Sequence, residues 1–364
     1  MKIATEERHG GHFRVLKIKG DGVSHLGIYD HVVRIGPAQF KMGGIGGVAT
    51  NWKHRKKGYA RLVMEDSMNW MRDEGYDVTL LFGIEHFYHK FGFANCMPEC
   101  VATVRTRDAE AMLGTKRTLE VRAAKDSDWP NAVRLYNRNN ARRPLSIVRK
   151  ARGFKGLRHG SGFHKRGEWV VLETRSGRFA GYAILDALPE PTRTCEVEVT
   201  NPAAYADVLG HLVRTAIRRR DGEIAVQLPL DHPFISHLRR FGCVVTVTYK
   251  NTGAMVGRFV NQDAVLTRLA AACGDDRGLR RAHGKYVRIK TDLGETRVAF
   301  AGAPRGGGAR LVIPATTLFQ VVVGFRKAEE ALLSPGVRAS GGGERLLEFL
   351  CPAIEPYLYS IDHF

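Results

Sequence analysis

Nothing in this 364-residue chain is long and apolar enough to span a membrane: no run of about 18 apolar residues occurs. The start, Met1-Lys2-Ile3-Ala4-Thr5-Glu6-Glu7, lacks the apolar core of an export signal, which points to the cytoplasm. Cysteine is scarce, six in all. So few scattered thiols exclude a disulfide-stapled fold and read as reduced packing residues. Cys96 and Cys100 follow His86 and His89 at a spacing zinc could use. The Phe91-Gly92-Phe93 turn lies between them, however, and no metal is expected. Acidic residues are missing from one long stretch: between Pro130 and Gly167 stand eleven Lys or Arg and no Asp or Glu. Much of the net charge of +19 lies in this middle region, for residues 116–265 carry 26 basic against 14 acidic side chains. Such a run can grip nucleic acid. Here only Tyr136, Phe154 and Phe163 interleave it, so it reads as a solvated or subunit-facing surface and nucleic acid is disfavoured.

What is present is a chain with ample apolar content, 44%, and length for two or three domains. Strand-like alternation covers His12–Ile18, Val23–Ile35 and Ala38–Thr50, with turns at Gly20-Asp21-Gly22 and Gly36-Pro37. The last of these runs through Gly43-Gly44-Ile45-Gly46-Gly47, a stretch with little side-chain cover that a ligand could approach closely. It continues as Val48-Ala49-Thr50-Asn51-Trp52-Lys53-His54-Arg55-Lys56-Lys57-Gly58-Tyr59-Ala60, a strand leading through a basic turn into a helix. From Tyr59 to Met71 the apolar positions Tyr59, Leu62, Val63, Trp70 and Met71 are expected on one face. Free amides and the positive dipole end at such a helix start favour a phosphate, and Gly58 lets it come close. After the helix come an apolar strand, Val78-Thr79-Leu80-Leu81-Phe82-Gly83, and then Phe87-Tyr88-His89-Lys90-Phe91-Gly92-Phe93.

Together these two stretches resemble the GNAT acetyltransferases. The family's acetyl-CoA motif, Arg/Gln-x-x-Gly-x-Gly/Ala, is met by Arg55, Gly58 and Ala60. Its tyrosine ahead of an aromatic-Gly-aromatic turn is met by Tyr88. The resemblance implies acetyl-CoA as cosubstrate and no metal. It places the cofactor on Val48, Ala49, Thr50, Arg55, Lys56, Lys57, Gly58, Ala60 and Gly83. Tyr88 becomes the general acid, since a phenol with a pKa of about 10 stays protonated at neutral pH. One departure stands out: a GNAT domain places a strand and two helices before the antiparallel meander, and about a dozen residues are available here. The first domain is therefore expected to lack its N-terminal strand and helices, either because the chain begins late or because the acceptor site is open or covered by another subunit.

Cys100 to Thr106 reads as the closing strand of this unit. A similar order of strands and helices then recurs: Leu119–Ala123, a hairpin of Trp169–Glu173 and Phe179–Leu185, a strand Glu196–Thr200, a helix Ala203–Arg219, a strand Ile224–Leu228 and a helix Pro233–Arg240. At the cofactor position Asn201-Pro202-Ala203 replaces the basic turn, so this second GNAT-like unit is expected to bind no acetyl-CoA. From about Leu266 the pattern changes to strands near Tyr286–Lys290, Arg297–Phe300 and Ala309–Ile313, with helices through Val323 and from Lys327 to Leu333. Two GNAT units with such a tail resemble the Eis acetyltransferases. The expected architecture is α/β (α+β): GNAT at 1–115, degenerate GNAT at 116–265 and a sterol-carrier-protein-like domain at 266–364. A lipid ligand does not follow from that third fold.

The resemblance further implies that the α-carboxylate of Phe364 reaches the first domain's site as base, with Glu85, His86 and His89 as local alternatives. It also implies transfer of acetyl to an amine acceptor, aminoglycoside-like or a lysine side chain, by a trimer or hexamer. A catalytically inactive acetyl-CoA sensor or scaffold is the alternative.

Overall fold

The first sheet grows from the alternating stretches near the N-terminus. In this computed structural model, which describes residues 1–151, 160–162, 165–187, 191–273, 286–299, 309–341 and 343–364, β1 (Lys2–Arg8), β2 (Gly11–Ile18), β3 (Asp21–Ile35) and β4 (Ala38–Thr50) form an antiparallel meander. Helix α1 (Tyr59–Asp73) then crosses to β5 (Val78–Gly83), which pairs parallel with β4 and is followed by β6 (Ala94–Met97). Strand β1 corrects the expectation that the N-terminal strand is missing. Its charged side chains hide the period, but Lys2 to Arg8 pair in full register with Lys17 to Gly11. A two-residue turn at His9-Gly10, both with positive φ, joins β1 to β2 where the family places two helices.

Next come β7 (Glu99–Arg105), α2 (Thr106–Ala109), β8 (Glu120–Ala123), α3 (Trp129–Asn139), β9 (Gly167–Glu173), β10 (Phe179–Asp186) and β11 (Thr192–Val199). They continue into α4 (Tyr205–Arg219), β12 (Glu223–Val226), α5 (Pro233–Leu238), β13 (Val244–Thr248) and β14 (Ala254–Phe259). A four-stranded sheet and four helices follow: α6 (Gln262–Cys273), β15 (Tyr286–Thr291), β16 (Gly294–Ala299), β17 (Ala309–Val312), α7 (Ala315–Val322), α8 (Ala328–Leu332), β18 (Arg338–Ser340) and α9 (Gly343–Leu350). The strand orders are β1-β2-β3-β4-β5-β14-β6, β13-β7-β12-β11-β10-β9-β8 and β16-β15-β17-β18.

The two large sheets exchange strands. Strand β7, expected to close the first unit, sits in the second sheet, with Ala102 opposite both Val226 of β12 and Val245 of β13. In return β14 lies between β5 and β6, with Val256 opposite Leu81 and Asn95. Pro98 between β6 and β7 has no N–H to continue a ladder and marks where the chain changes sheets. A two-residue period tells that a segment is a strand and says nothing of its partners.

Helix α1 buries Val63, Met64, Ser67, Met68 and Met71 against the first sheet. The expected face is thus rotated: Leu62 is 39% exposed, and Met64 and Met68 take the core positions. On the opposite face Val33, Phe40 and Met42 join Leu318, Phe319 and Val322 of α7 in one apolar core, so the third unit is packed onto the first sheet. Gly257 of β14 sits at this junction, where an added Cβ would lie 2.5 Å from Leu80 and 2.7 Å from Phe319. Gly257→Val should therefore cost about 1–3 kcal/mol by overpacking. Denaturant unfolding is expected to show a lower midpoint in a transition common to both large sheets. A melt confined to one sheet would contradict the exchange.

Candidate active site

The site is made by the way β4 leaves β5. Their parallel pairing runs from Met42/Val78 to Ile45/Leu81 and stops. Just beyond, the register of β3 against β4 jumps from Gly27/Gly46 to His25/Ala49, leaving Leu26 opposite two residues. The extra residue is accommodated at Gly47, whose φ of 59° falls in the left-handed region. The bulge turns β4 away from β5, so that past Ile45 only its β3 side is paired. Gly47 and Ala49 are exposed, and Gly46, Val48 and Thr50 half-buried.

A short turn at Trp52–His54, capped by the Asn51 side chain, then brings the chain to α1. Arg55 folds back and donates from Nε to the Thr50 carbonyl at 3.3 Å. Lys56 and Gly58 both have positive φ, 62° and 78°. Gly58 is the N-cap of α1, with no side-chain cap and no atom within 4 Å of where a Cβ would sit. The first helical bond is Leu62 N–H to the Gly58 carbonyl. Amides of the first turn, Tyr59 to Arg61, thus have no carbonyl one turn back to donate to. Exposed Arg55, Lys56 and Lys57 surround them, and Ala60 is half-buried in the same turn. The dipole, the free amides and three cations make this a place for a phosphate.

On the β5 side, Tyr88 is buried at 7% exposure in a helical turn, Tyr88–Phe91, that ends at Gly92 in the left-handed region. Its ring meets Phe87 edge-on at 4.9 Å, and its Cδ2 lies 3.1 Å from the Cβ position of Gly83, the last residue of β5. Burial pushes its pKa up, so the phenol holds its proton across the neutral range. Of the alternative bases, Glu85 pairs with its neighbour His86 at 3.0 Å in an exposed loop, and His89 is exposed.

The chain's last residue lies in the opening. A Cβ on Gly44 would be 2.5 Å from the Phe364 ring, and one on Gly46 would be 3.2 Å from the Phe364 carboxyl carbon. The ring of Phe364 is 5.4 Å from that of His31, and His363 stacks at a tilt on Phe82 at 4.3 Å. Tyr29 flanks the same spot, 3.3 Å from the Gly46 Cβ position. Burial lowers the pKa of His31, against the pull of Asp362 and Asp30, leaving a neutral imidazole beside Phe364. The glycine run therefore has a use the sequence reading did not foresee. Gly44 and Gly46 make room for Phe364, while Gly43 makes room for Met71, whose Sδ would be 2.7 Å from a Cβ there. Tyr29 and His31 were missed as well. The alternation of β3 puts them on the face opposite Ile28, but only the position of Phe364 shows that this face matters.

In the second sheet the equivalent opening is filled. The parallel pairing of β11 with β12 ends at Thr194/Val226. Beyond it Glu196, Val197, Glu198 and Val199 are all buried. Glu196 receives the guanidinium of Arg149 at 2.6 and 2.8 Å and the Tyr182 hydroxyl. Glu198, pushed up to about 8 by burial and then by Glu196, accepts from Asn139 and Asn140. Arg149 and Arg143 belong to the basic stretch expected at the surface. Both are buried, Arg143 on Asp231 at 2.8 Å, because the second unit contains carboxylates that need partners. Arg152, Lys155 and Arg158 lie outside the described residues.

Residues 4–96 match the sequence profile of the acetyltransferase (GNAT) domain. No curated protein matches the chain in sequence. Solved structures share its fold. A conserved protein from Enterococcus faecalis V583 described as a probable N-acyltransferase covers 98% of this chain, with 90% of its own length matched, at 15% identity and a TM-score of 0.76. A GCN5-related N-acetyltransferase from Anabaena variabilis covers 97%, with 89% of its own chain, at 14% identity and 0.74. Eis1 from Mycobacterium abscessus covers 95%, with 89% of its own chain, at 14% identity and 0.67. The fold is that of the GCN5-related N-acetyltransferases. Residues 4–96 are thus an acetyltransferase domain, and domains of this kind use acetyl-CoA as cosubstrate.

If the helix start holds the pyrophosphate, Gly58→Leu, or Arg55→Glu with Lys57→Glu, should abolish acetyl-CoA binding in titration calorimetry while the thermal midpoint stays within a few degrees. Unchanged affinity in both variants would place the cofactor elsewhere.

Proposed function

We propose that this protein transfers acetyl directly from acetyl-CoA to a primary amine, an aminoglycoside-like polyamine or a lysine side chain, at the opening between β4 and β5. The observation that carries the reading is the convergence there of an open strand edge, a basic glycine-capped helix start, a buried tyrosine and the terminal carboxylate. Acetyl-CoA supplies an activated thioester. Gly58 and the first-turn amides of α1, with Arg55, Lys56, Lys57 and Ala60, hold the pyrophosphate. Val48, Ala49 and Thr50 turn toward the pantetheine arm the edge of β4 that β5 leaves unpaired, and an amide on this edge polarises the thioester carbonyl. Gly83, without a side chain, lets Tyr88 pack directly on the end of β5 beside the cofactor.

Tyr88 then gives its proton to the departing sulfur. The Phe364 carboxylate, seated over Gly46, accepts a proton from the incoming ammonium. Its reference pKa is about 3.5, so it depends on a partly desolvated setting, which Tyr29, His31 and the Phe364 ring provide. The acceptor reaches it from the face of β3 and β4 that carries these residues. Nearby an open cleft is lined by Asp30, His31, Lys41, Ile147, Lys150 and His363. The filled opening of the second sheet supports a single cofactor site per chain. Supporting an Eis-type organisation, with a sterol-carrier-like third unit and a trimeric or hexameric assembly, are the likeness to Eis1 along the chain and the α+β make-up of the third unit.

The test screens aminoglycosides, polyamines and lysine peptides for acetyl-CoA-dependent turnover, then compares the full chain with one extended by two residues after Phe364. The extension turns the carboxylate into an amide. Turnover should collapse while acetyl-CoA affinity survives. Equal turnover would remove Phe364 from the mechanism, and acetyl-CoA binding without turnover on any amine would favour a sensor.

A further inference from the structure

We infer that Arg149, in the second unit, is a positioning residue for the terminal carboxylate, acting through Asp362. The inference rests on the role given to Phe364 above. From Tyr357 onward the tail is tied at nearly every residue. Tyr357 donates from N–H to the Pro144 carbonyl at 2.9 Å and from its hydroxyl to the Gln227 carbonyl at 3.0 Å. Tyr359 donates to the Asn140 side chain at 3.1 Å, and Ser360 to the Gly160 carbonyl at 2.6 Å. A tight turn brings Asp362 N–H to the Tyr359 carbonyl at 2.9 Å. All these ties precede Phe364 and lead to one charged anchor.

That anchor is the Asp362 carboxylate. Arg149 donates to it from Nε at 2.9 Å and from Nη2 at 2.8 Å, while the other edge of the guanidinium holds Glu196. The Tyr136 hydroxyl adds a bond at 3.3 Å, and the guanidinium carbon lies 3.4 Å from the centre of the Tyr136 ring. Arg149, Glu196 and Asp362 side chains are 2%, 0% and 5% exposed. Burying three charges gains little stability over an apolar filling of the same space, because desolvation consumes most of the attraction. Direction is what it provides. A planar fork holding two carboxylates fixes both in distance and angle. Phe364 is two residues beyond Asp362, so their Cα atoms are at most about 7 Å apart. Over so short a leash any shift of Asp362 passes to the carboxylate at Gly46. The network also touches the first unit directly. Asn137 donates to the Arg149 carbonyl at 2.7 Å and accepts at 2.7 Å from Arg34, which stands on β3. The second unit, with no open cofactor slot of its own, thus acts on the first unit's site.

The test uses full-length protein and whichever amine of the screen turns over fastest. Asp362→Asn keeps the shape and removes the charge, Arg149→Lys keeps the charge and removes the fork, and Val213→Ala is a control that opens a cavity under α4 and removes none of the hydrogen bonds of the tail. Asp362→Asn should lower kcat about 100-fold, the cost of a misplacement of about 1 Å, with the Kd for acetyl-CoA within two-fold. Arg149→Lys should give a smaller loss. Val213→Ala should lower the thermal midpoint and leave kcat alone. If Asp362→Asn behaves like Val213→Ala, or loses acetyl-CoA affinity together with kcat, the residue is structural and the inference falls. If the extended chain is inactive while Asp362→Asn is fully active, only the clamp fails. A fully active extended chain would overturn the role of Phe364 itself.

Discussion

Everything at the site depends on the single extra residue in β4. Parallel strands held by an even ladder have no gap between them. One bulge, which a left-handed glycine makes inexpensive, ends the ladder at Ile45 and tilts the rest of the strand outward. The same tilt frees the edge of Val48 to Thr50, points the chain at the start of α1 and leaves a hollow whose floor is glycine. Burial around that hollow sets two protonation states: a phenol kept protonated on one side and a neutral imidazole on the other.

The second sheet shows what the same architecture becomes without that use. There too the parallel pair separates after three residues. The space is taken up by Glu196, Glu198, Arg149 and the tyrosines of the tail, and the following helix starts from Asn201-Pro202-Ala203, without glycine or basic residues. One opening keeps an unpaired strand edge, while its counterpart grips the segment that ends in the first. The tail therefore bridges two openings of the same kind, one as anchor and one as destination.

Local features were legible in the sequence. The bounds of β3, β4, α1 and β5 follow from period and turn residues, and so does the basic, glycine-capped helix start from Arg55 to Gly58, because backbone geometry there is set by neighbours along the chain. What was not legible depends on partners distant in sequence. Strand β1 carries too many charges to show its period. Strands β7 and β14 look alike whichever sheet they join. Leu62 and Met64 are both apolar, and only packing against the sheet decided which is buried. Gly44 and Gly46 announced a close approach without saying by what. Arg149 sat in a basic run whose composition suggests solvent, and its partners Glu196 and Asp362 lie 47 and 213 residues away.

The exchange of β7 and β14 sets a timetable on the ribosome. A chain made from its N-terminus usually completes domains as they emerge. Here the first sheet has a vacant lane between β5 and β6 until Ala254–Phe259 has been synthesised. By then the whole second sheet has emerged, including the lane into which β7 must go. The first unit thus waits for the second with two exposed strand edges that could pair wrongly. Any factor that shields nascent strand edges has its opportunity in that interval, and the two units reach their finished form together.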